Sequence, residues 1–518
     1  MTKEQDGLTP WIICAVILLV YLCFPTRQYF FDGIAFAQTI EDARALDTTL
    51  IHPNHLFYEV FGYAIYKIAL AVGLHPRALT VLQVTNNFLG ALCALLLFQA
   101  LRLSLRSLYL SCALTFLFAF SATWWKFATD ANAYVPSVLC VVTCFYLILP
   151  GRKPRPLLLA LAFSLAMCFH QLAVIFFPAL LLGLFLQTAA LDAKARIIAA
   201  LKFGGAAFIL TFGAYYYCFY LATGTLDFKT LLRWMTSFSP DASFSFNAGR
   251  NLGFTLRGYA RLFFGGRVNL LKGLLNPFIV ALIVMLIALA ALLVLALARN
   301  AKTVLIRWRR ALKSVAASRP LALLCAAWIA VYTLFLFVWQ PQHTFYRLFY
   351  LPAIIMLAGL LLAGGERLKP PARTCALALF VAVMSLSNFL FLIFPYAHTE
   401  KYAPLVLALE MNREWREGTV VYYAATNSDN SLFQYFNPPT KWKQLTSDNA
   451  ADLEGELRRV YDEGGEAWLD DSAQAQFSST AEGAAWLALR AREDSRRELV
   501  DRAYRIRFVQ VIPRPQQP

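Results

Sequence analysis

The chain has 518 residues, of which 59% are hydrophobic and only 15% are charged, and its mean hydropathy is +0.54. This composition excludes a soluble protein, since soluble domains average about 25% charged residues, and the many aromatic residues exclude a disordered chain. Because the apolar runs are continuous rather than alternating, a transmembrane barrel is also excluded. The sequence therefore predicts a polytopic α-helical membrane protein.

The net charge of +16 is unevenly distributed. Residues 1–395 carry 32 Lys and Arg against 12 Asp and Glu, a balance of +20, whereas residues 396–518 carry 15 against 19, a balance of −4. The basic excess therefore belongs to the membrane part, where it can set topology or meet anionic lipid. We expect no nucleic-acid partner.

Apolar runs long enough to cross a bilayer recur along residues 1–395, and we expect about eleven transmembrane helices. The predicted spans are 10–25, 78–101, 107–125, 134–150, 157–169, 171–187, 203–222, 276–297, 321–339, 346–364 and 374–394. The run 157–187 is too long for one crossing and has basic loops on both sides, so we predict two short spans that turn near His170.

The distribution of Lys and Arg predicts the orientation in the plasma (inner) membrane. With the N-terminus in the cytoplasm, the inner loops carry 19 Lys and Arg. Eleven crossings then place the tail outside, together with two long outer loops, 26–77 and 223–275. Within the first loop, the stretch 56–74 contains Glu59 and Lys67, which favours a helix at the membrane interface over a span.

The tail, 396–518, has the pattern of a small extracytoplasmic α/β domain. We expect strands at 419–424, 466–470 and 507–512, the second being the weakest signal. Helical periodicity covers 451–462 and 480–493.

Polar residues gather on the outer side, beginning with Asp32. This carboxylate directly follows the first span, in Tyr29-Phe30-Phe31-Asp32-Gly33. One interpretation is a general base or a metal ligand at the membrane boundary. The alternative is an N-cap that accepts hydrogen bonds from the first turn of the following helix.

His52 and His55 lie about twenty residues further along the same loop, three positions apart. With Asp32 as a third ligand they would bind a divalent metal. The alternatives are contact with a bound substrate, or a helix start at Pro53 with two interfacial imidazoles.

Other polar residues lie at the outer ends of later spans, and each is either a substrate contact or an ordinary boundary residue. They are Asp130, Asn132 and Tyr134, then His170, and then His343 and Arg347. A boundary arginine either snorkels or binds a phosphate. The second long loop adds four arginines as candidates for phosphate binding, Arg250, Arg257, Arg261 and Arg267.

The run D-G-x-A-x-A followed by H-P-x-H-x-x-Y, from Asp32 to Tyr58, resembles the first outer loop of the GT-C superfamily of membrane glycosyltransferases. The closest likeness is to the group related to protein O-mannosyltransferases. Trp125 and the stretch 132–134 partly match that group's second outer loop, and His170 adds to the likeness. Two positions depart from it: Gly33 stands where true protein O-mannosyltransferases have Glu after the Asp, and Asn132 stands where the related group tends to have Glu.

The resemblance implies a hexosyltransferase that takes a sugar from a polyprenyl-phosphate donor, on the extracytoplasmic face, to a hydroxyl of a glycan, glycolipid or protein. Asp32 would be the general base of an inverting transfer. His52, His55, Asp130, Asn132, Tyr134, His170, His343 and Arg347 would contact the substrates.

Two rival classes are a secondary transporter and a non-catalytic membrane scaffold that presents the tail. A transporter places charged groups near the bilayer midplane, often in repeated halves. The sequence shows no internal repeat and no charged residue at the centre of a confident span, which favours the enzyme. The long polar first loop argues against the scaffold.

Overall fold

The computed structural model describes residues 3–236, 244–315, 319–363, 370–424, 428–438, 440–445, 452–501 and 504–514. It divides into two compact units. The first unit contains residues 1–26 and 39–395, and the second contains residues 27–38 and 396–518.

Helices make up the first unit, with short 3₁₀ turns at Thr48–Leu50, Pro53–His55, Gln171–Phe176, Val268–Leu271 and Phe345–Tyr350. Its helices are α1 (Lys3–Cys23), α2 (Phe31–Asp42, shared with the second unit), α3 (Tyr58–Ala71), α4 (Ala78–Leu105), α5 (Leu108–Ala119), α6 (Ala122–Ala128), α7 (Tyr134–Leu147), α8 (Pro156–Phe169), α9 (Phe177–Gln187), α10 (Ala193–Thr223), α11 (Phe228–Thr236), α12 (Ala248–Phe263), α13 (Pro277–Val315), α14 (Arg319–Val338), α15 (Leu351–Ala363) and α16 (Pro370–Asn388). A π-turn over Phe389–Ile393 continues α16 to Tyr396.

A polytopic helical membrane protein is confirmed. Within the described residues, six helices are long and apolar enough to cross a membrane, or seven if the bent pair α5 and α6 is one span. Four shorter apolar helices cover Leu8–Cys23, Tyr134–Leu147, Pro156–Phe169 and Gln171–Gln187. Each predicted span overlaps one of these helices, while the count of eleven crossings stays a prediction.

The chain bends within one predicted span and breaks between two others. The expected span 107–125 is wrong as one helix, because the chain bends by 67° between α5 and α6. The Ser121 hydroxyl donates to the Phe118 carbonyl at 2.8 Å, so the freed backbone at the bend is satisfied locally. The predicted break near His170 is confirmed, since α8 ends at Phe169 and His170 has extended dihedrals. The predicted interfacial segment 56–74 contains α3.

The second unit is built on a five-stranded sheet in the order β2-β1-β3-β5-β4. Its strands are β1 (Val420–Tyr423), β2 (Lys441–Gln444), β3 (Ala467–Asp470), β4 (Ala491–Asp501) and β5 (Tyr504–Val511), and its helices are α17 (Ala403–Glu414), α18 (Ser428–Phe436), α19 (Leu453–Asp462), α20 (Asp471–Ser478) and α21 (Ala481–Arg490). Strand β1 pairs in parallel with β2 and β3, whereas β5 pairs antiparallel with β3 and β4.

The predicted α/β domain is confirmed, together with three strands and two helices. Strands β2 and β4 were not predicted, and the expected helix 480–493 ends at Arg490 because β4 begins there. One face of the sheet packs Val420, Tyr422 and Leu469 against α19. The other face packs Trp415 on Trp468, with ring centroids 5.5 Å apart.

Residues 27–38 group with the tail, although the sequence placed the whole of 1–395 in the membrane domain. The Arg27 N–H donates to the Tyr396 carbonyl, and Tyr29 stacks on Phe436 with centroids 5.5 Å apart. These contacts between distant parts of the chain explain the difference, because neither is visible in local periodicity.

Candidate functional site

Three of the predicted site histidines meet in the first unit, and we call His52, His55 and His170 the imidazole cluster. The ring of His55 contacts both of the others, with centroids 5.5 Å from His52 and 4.8 Å from His170. The sequence placed these residues on two separate loops. The 3₁₀ turn at Pro53–His55 and the break between α8 and α9 bring them together.

His52 and His170 occupy equivalent positions, each immediately before a 3₁₀ turn. The Nδ1 atom of His52 accepts a hydrogen bond from the Asn54 N–H at 3.3 Å, and Nδ1 of His170 accepts from the Leu172 N–H at 3.1 Å. Because Nδ1 is an acceptor in both residues, this hydrogen-bond pattern assigns the ring proton to Nε2. The predicted helix start at Pro53 is thus present, with His52 as its cap.

Burial keeps all three imidazoles of the cluster uncharged at neutral pH. Desolvation lowers the pKa of His52 to about 4 and that of His170 to about 3, and His52 lowers the latter further. Desolvation, followed by the nearby rings of His170 and His52, lowers the pKa of His55 well below its usual value. Neutral imidazoles donate and accept hydrogen bonds without attracting an anion, so the cluster is suited to hydroxyl groups.

Aromatic side chains extend the imidazole cluster towards His343. The ring of Tyr134 lies 4.7 Å from His170, and Phe345 lies 5.3 Å from Tyr134. His343 contacts Phe345 at 5.0 Å, so four of the six histidines of the chain belong to one continuous set of ring contacts. Desolvation, and then the Arg347 charge, lowers the pKa of His343.

Asp130 is completely buried at the link between α6 and α7. Its carboxylate accepts from Lys126 Nζ at 2.6 Å and from the Ala131 N–H at 2.8 Å. Asn132 is also fully buried, and its Oδ1 accepts from the N–H groups of Tyr134 and Val135 at the start of α7. These contacts favour a positioning role for both residues, with Tyr134 as the ring they place.

Arg347 is buried and holds the turn that carries His343. Its guanidinium donates to the Pro341 and His343 carbonyls at 2.9 Å each. On α12, Gly258 lies so close that a Cβ atom there would be 2.6 Å from both terminal nitrogens of Arg347. Because these nitrogens already bind backbone carbonyls, the structure favours a positioning role for Arg347 over the predicted contact with substrate.

The four other predicted arginines are exposed, and they occupy two different settings. Arg250, Arg257 and Arg261 lie on α12. Arg267 follows Gly266, whose φ of +85° and close approach to Phe391 leave no room for a Cβ atom. The Arg267 N–H donates to the Phe391 carbonyl at 2.9 Å, which fixes the backbone of this arginine on the π-turn.

Asp32 lies in the first turn of α2, one residue after the helix begins, so it is not the predicted N-cap. It is half-buried, and desolvation raises the pKa of its carboxyl to about 7. Such a carboxyl exchanges its proton near neutral pH, as a general base must.

Metal binding by Asp32, His52 and His55 was one prediction from the sequence. Among the described residues, no group of three or more His, Cys, Asp or Glu side chains has an arrangement that could hold a metal ion. Ring contact and hydrogen bonding account for the positions of the imidazoles.

Sequence reasoning did not single out Lys126 or Gly258. Lys126 could have been found from its spacing, since it lies four residues before Asp130 on a helical stretch, the separation at which opposite charges pair. Gly258 carries no local signal, because its role depends on Arg347, 89 positions away.

Two crystal structures of ArnT from Cupriavidus metallidurans share the fold of this chain. The structure bound to undecaprenyl phosphate matches with a TM-score of 0.63 and 11% sequence identity, over 99% of this chain and 100% of that one. The apo structure matches with a TM-score of 0.62 and 12% identity, over 99% of both chains. No protein-family model and no curated protein matches the sequence.

ArnT is a GT-C glycosyltransferase, so the GT-C fold expected from the first outer loop is confirmed. At this level of identity the likeness establishes the fold alone. The closer relation to the O-mannosyltransferase-related group stays a prediction.

Proposed function

We propose that this chain is a membrane glycosyltransferase that moves a hexosyl group from a polyprenyl-phosphate donor to a hydroxyl acceptor on the extracytoplasmic face. The observation that carries the proposal is the imidazole cluster with its aromatic neighbours. Uncharged hydrogen-bonding rings beside aromatic faces match the hydroxyls and C–H faces of a sugar. The full-length likeness to ArnT, which has been crystallised with undecaprenyl phosphate, supports the donor class.

The proposed orientation places the N-terminus in the cytoplasm and the tail outside. Its support remains the 19 Lys and Arg on the predicted inner loops. Labelling of a cysteine introduced near Ser447 tests the orientation of the tail. Labelling in intact cells agrees with the proposal, and labelling only after permeabilisation contradicts it.

In the proposed reaction, the acceptor oxygen attacks C1 of the sugar as the bond from C1 to the phosphate oxygen breaks. Asp32 accepts the hydroxyl proton, and C1 is inverted. The raised pKa of Asp32 supports this role, since a carboxyl with a pKa of about 7 binds a proton more strongly than an ordinary aspartate. General-base assistance typically contributes about 10²–10⁴-fold to the rate.

The leaving phosphate requires cations, and of the four exposed arginines predicted for it we assign only Arg267. Its backbone is fixed by Gly266, and a Cβ atom on the adjacent Gly265 would lie 2.9 Å from Ala122 Cβ, at the start of α6. Lys126 lies one turn further along that helix and is mostly buried. A fixed backbone limits the positions that the guanidinium can take, which lowers the reorganisation needed to stabilise developing charge.

A transfer assay on the full-length protein in liposomes tests the proposal. We expect transfer from a polyprenyl-phosphate hexose and none from the matching nucleotide sugar. Asp32→Asn is expected to lower turnover at least about 10²-fold while leaving donor binding intact. Efficient transfer from the nucleotide sugar without lipid donor would refute the donor assignment, and an active Asp32→Asn variant would refute the base.

A further inference from the structure

Helix α12 presents three arginines on one exposed stripe. Arg250, Arg257 and Arg261 are separated by seven and four residues, so at about 100° per residue they lie within about 40° of one another. All three are exposed, and within the described part of the chain no ion pair engages them. We call these residues the arginine stripe.

The arginine stripe is one of three sectors of α12. Asn251, Thr255, Gly258 and Leu262 form the buried sector that packs on the first unit. Leu252 and Leu256, which are 52% and 61% exposed, form an apolar sector on the remaining side. A basic sector beside an exposed apolar one is typical of a helix lying in the membrane interface.

The contacts of α12 place it across the ends of apolar helices. Before it begins, the Ser245 N–H donates to the carbonyl of Val338, the last residue of α14. Near its C-terminus, the Arg261 carbonyl accepts from the Thr123 hydroxyl at 3.0 Å, just after the bend between α5 and α6. Attachment at both ends fixes the rotation of α12, so that its two exposed sectors keep their directions.

The sequence around α12 lacks acidic residues entirely. From residue 242 to residue 365 there is no Asp or Glu, and residues 244–276 contain five Lys and Arg. No carboxylate therefore competes along this stretch for the guanidinium groups, and the unpaired charge is complementary to an anionic surface.

We propose that α12 is a docking surface for anionic phospholipids of the bilayer. Leu252 and Leu256 lie among the acyl chains, and the arginine stripe binds the lipid phosphates. The proposal is independent of the glycosyl-transfer reaction, because it assigns these three arginines to membrane lipid and leaves Arg267 for the donor.

Native mass spectrometry of the full-length protein in detergent, titrated with phosphatidylglycerol or phosphatidylcholine, tests the proposal. The triple variant R250Q/R257Q/R261Q should bind phosphatidylglycerol about 10²-fold more weakly, at about fivefold for each arginine near a lipid surface. Its binding of phosphatidylcholine and of undecaprenyl phosphate should stay unchanged. The single variants, each expected to lose about fivefold, provide the same test if the triple variant does not fold.

Two control variants distinguish the effect of where the charges lie from the effect of the protein's net charge. R413Q/R416Q/K441Q removes three exposed cations from the second unit and should bind phosphatidylglycerol like the parent. R250K/R257K/R261K keeps the charge and should lose no more than about fivefold. The proposal is overturned if the glutamine variants bind phosphatidylglycerol as the parent does. It is also overturned if they lose undecaprenyl phosphate instead, or if glycerol phosphate alone competes as well as the lipid.

Discussion

Gly258→Ala tests whether the contact between α12 and Arg347 determines the geometry of the His343 turn. The new methyl group would lie 2.6 Å from both terminal nitrogens of Arg347, well inside van der Waals contact. Arg347 is buried, so its guanidinium has little space in which to move. Overpacking of this kind costs about 1–3 kcal/mol. Losing one of the two bonds to the Pro341 and His343 carbonyls would cost about 1.5–3 kcal/mol instead.

Gly253→Ala is a matched control on the same helix, because no atom lies within 4 Å of its added methyl group. We expect it to stabilise the protein by about 0.5–1 kcal/mol, as Gly to Ala does in helices. Thermal unfolding in detergent measures both variants, and sugar transfer reports the displaced His343. If Gly258→Ala is as stable as Gly253→Ala, the close contact does not exist and the positioning role of Arg347 fails.

Three further predictions concern the charged and imidazole groups. The pKa of Asp32 is raised to about 7, and the base must be ionised to act. The transfer rate should therefore fall about tenfold per pH unit below pH 7 and level off above it. A flat profile between pH 5 and 8 would contradict this prediction. Asp130→Asn removes the carboxylate that faces the mostly buried Lys126 charge and should cost about 3–5 kcal/mol. Lys126→Met combined with Asp130→Asn should recover most of that loss in denaturant titration, and equal losses would exclude the pairing. His52→Asn keeps a capping acceptor for the Asn54 N–H, so the unfolding temperature should stay unchanged. Because the imidazole is lost, the KM for the donor should rise about tenfold. Loss of stability without an effect on KM would mean that His52 has only a structural role.

The spans were predictable because each is long compared with one helical turn and must be apolar throughout. The bend after Ala119 was not, since Phe120 continues the apolar run, Ser121 is a single small polar residue, and no Pro or Gly marks the change. Strand β4 was missed for the opposite reason. Eight of the eleven residues in its sequence, AREDSRRELVD, are polar or charged, and it forms a strand because β5 offers a paired edge. In β4, pairing with the neighbouring strand overrides local propensity.

The site was predictable in its residue types but not in its grouping. Histidines are rare here, with six in the chain, and they stand out at the boundaries of apolar runs. Their distances depend on how α8, α9 and the first loop pack. That packing also determines their chemistry: mutual burial lowers the pKa values of His52 and His170 to about 4 and 3, so the imidazole cluster is neutral. A neutral cluster binds hydroxyls but has no charge with which to bind a phosphate. Recognition of a lipid-linked sugar would therefore be divided between two sets of residues. The sugar ring would bind at the imidazole cluster, and the phosphate would bind at a charged side chain such as Arg267.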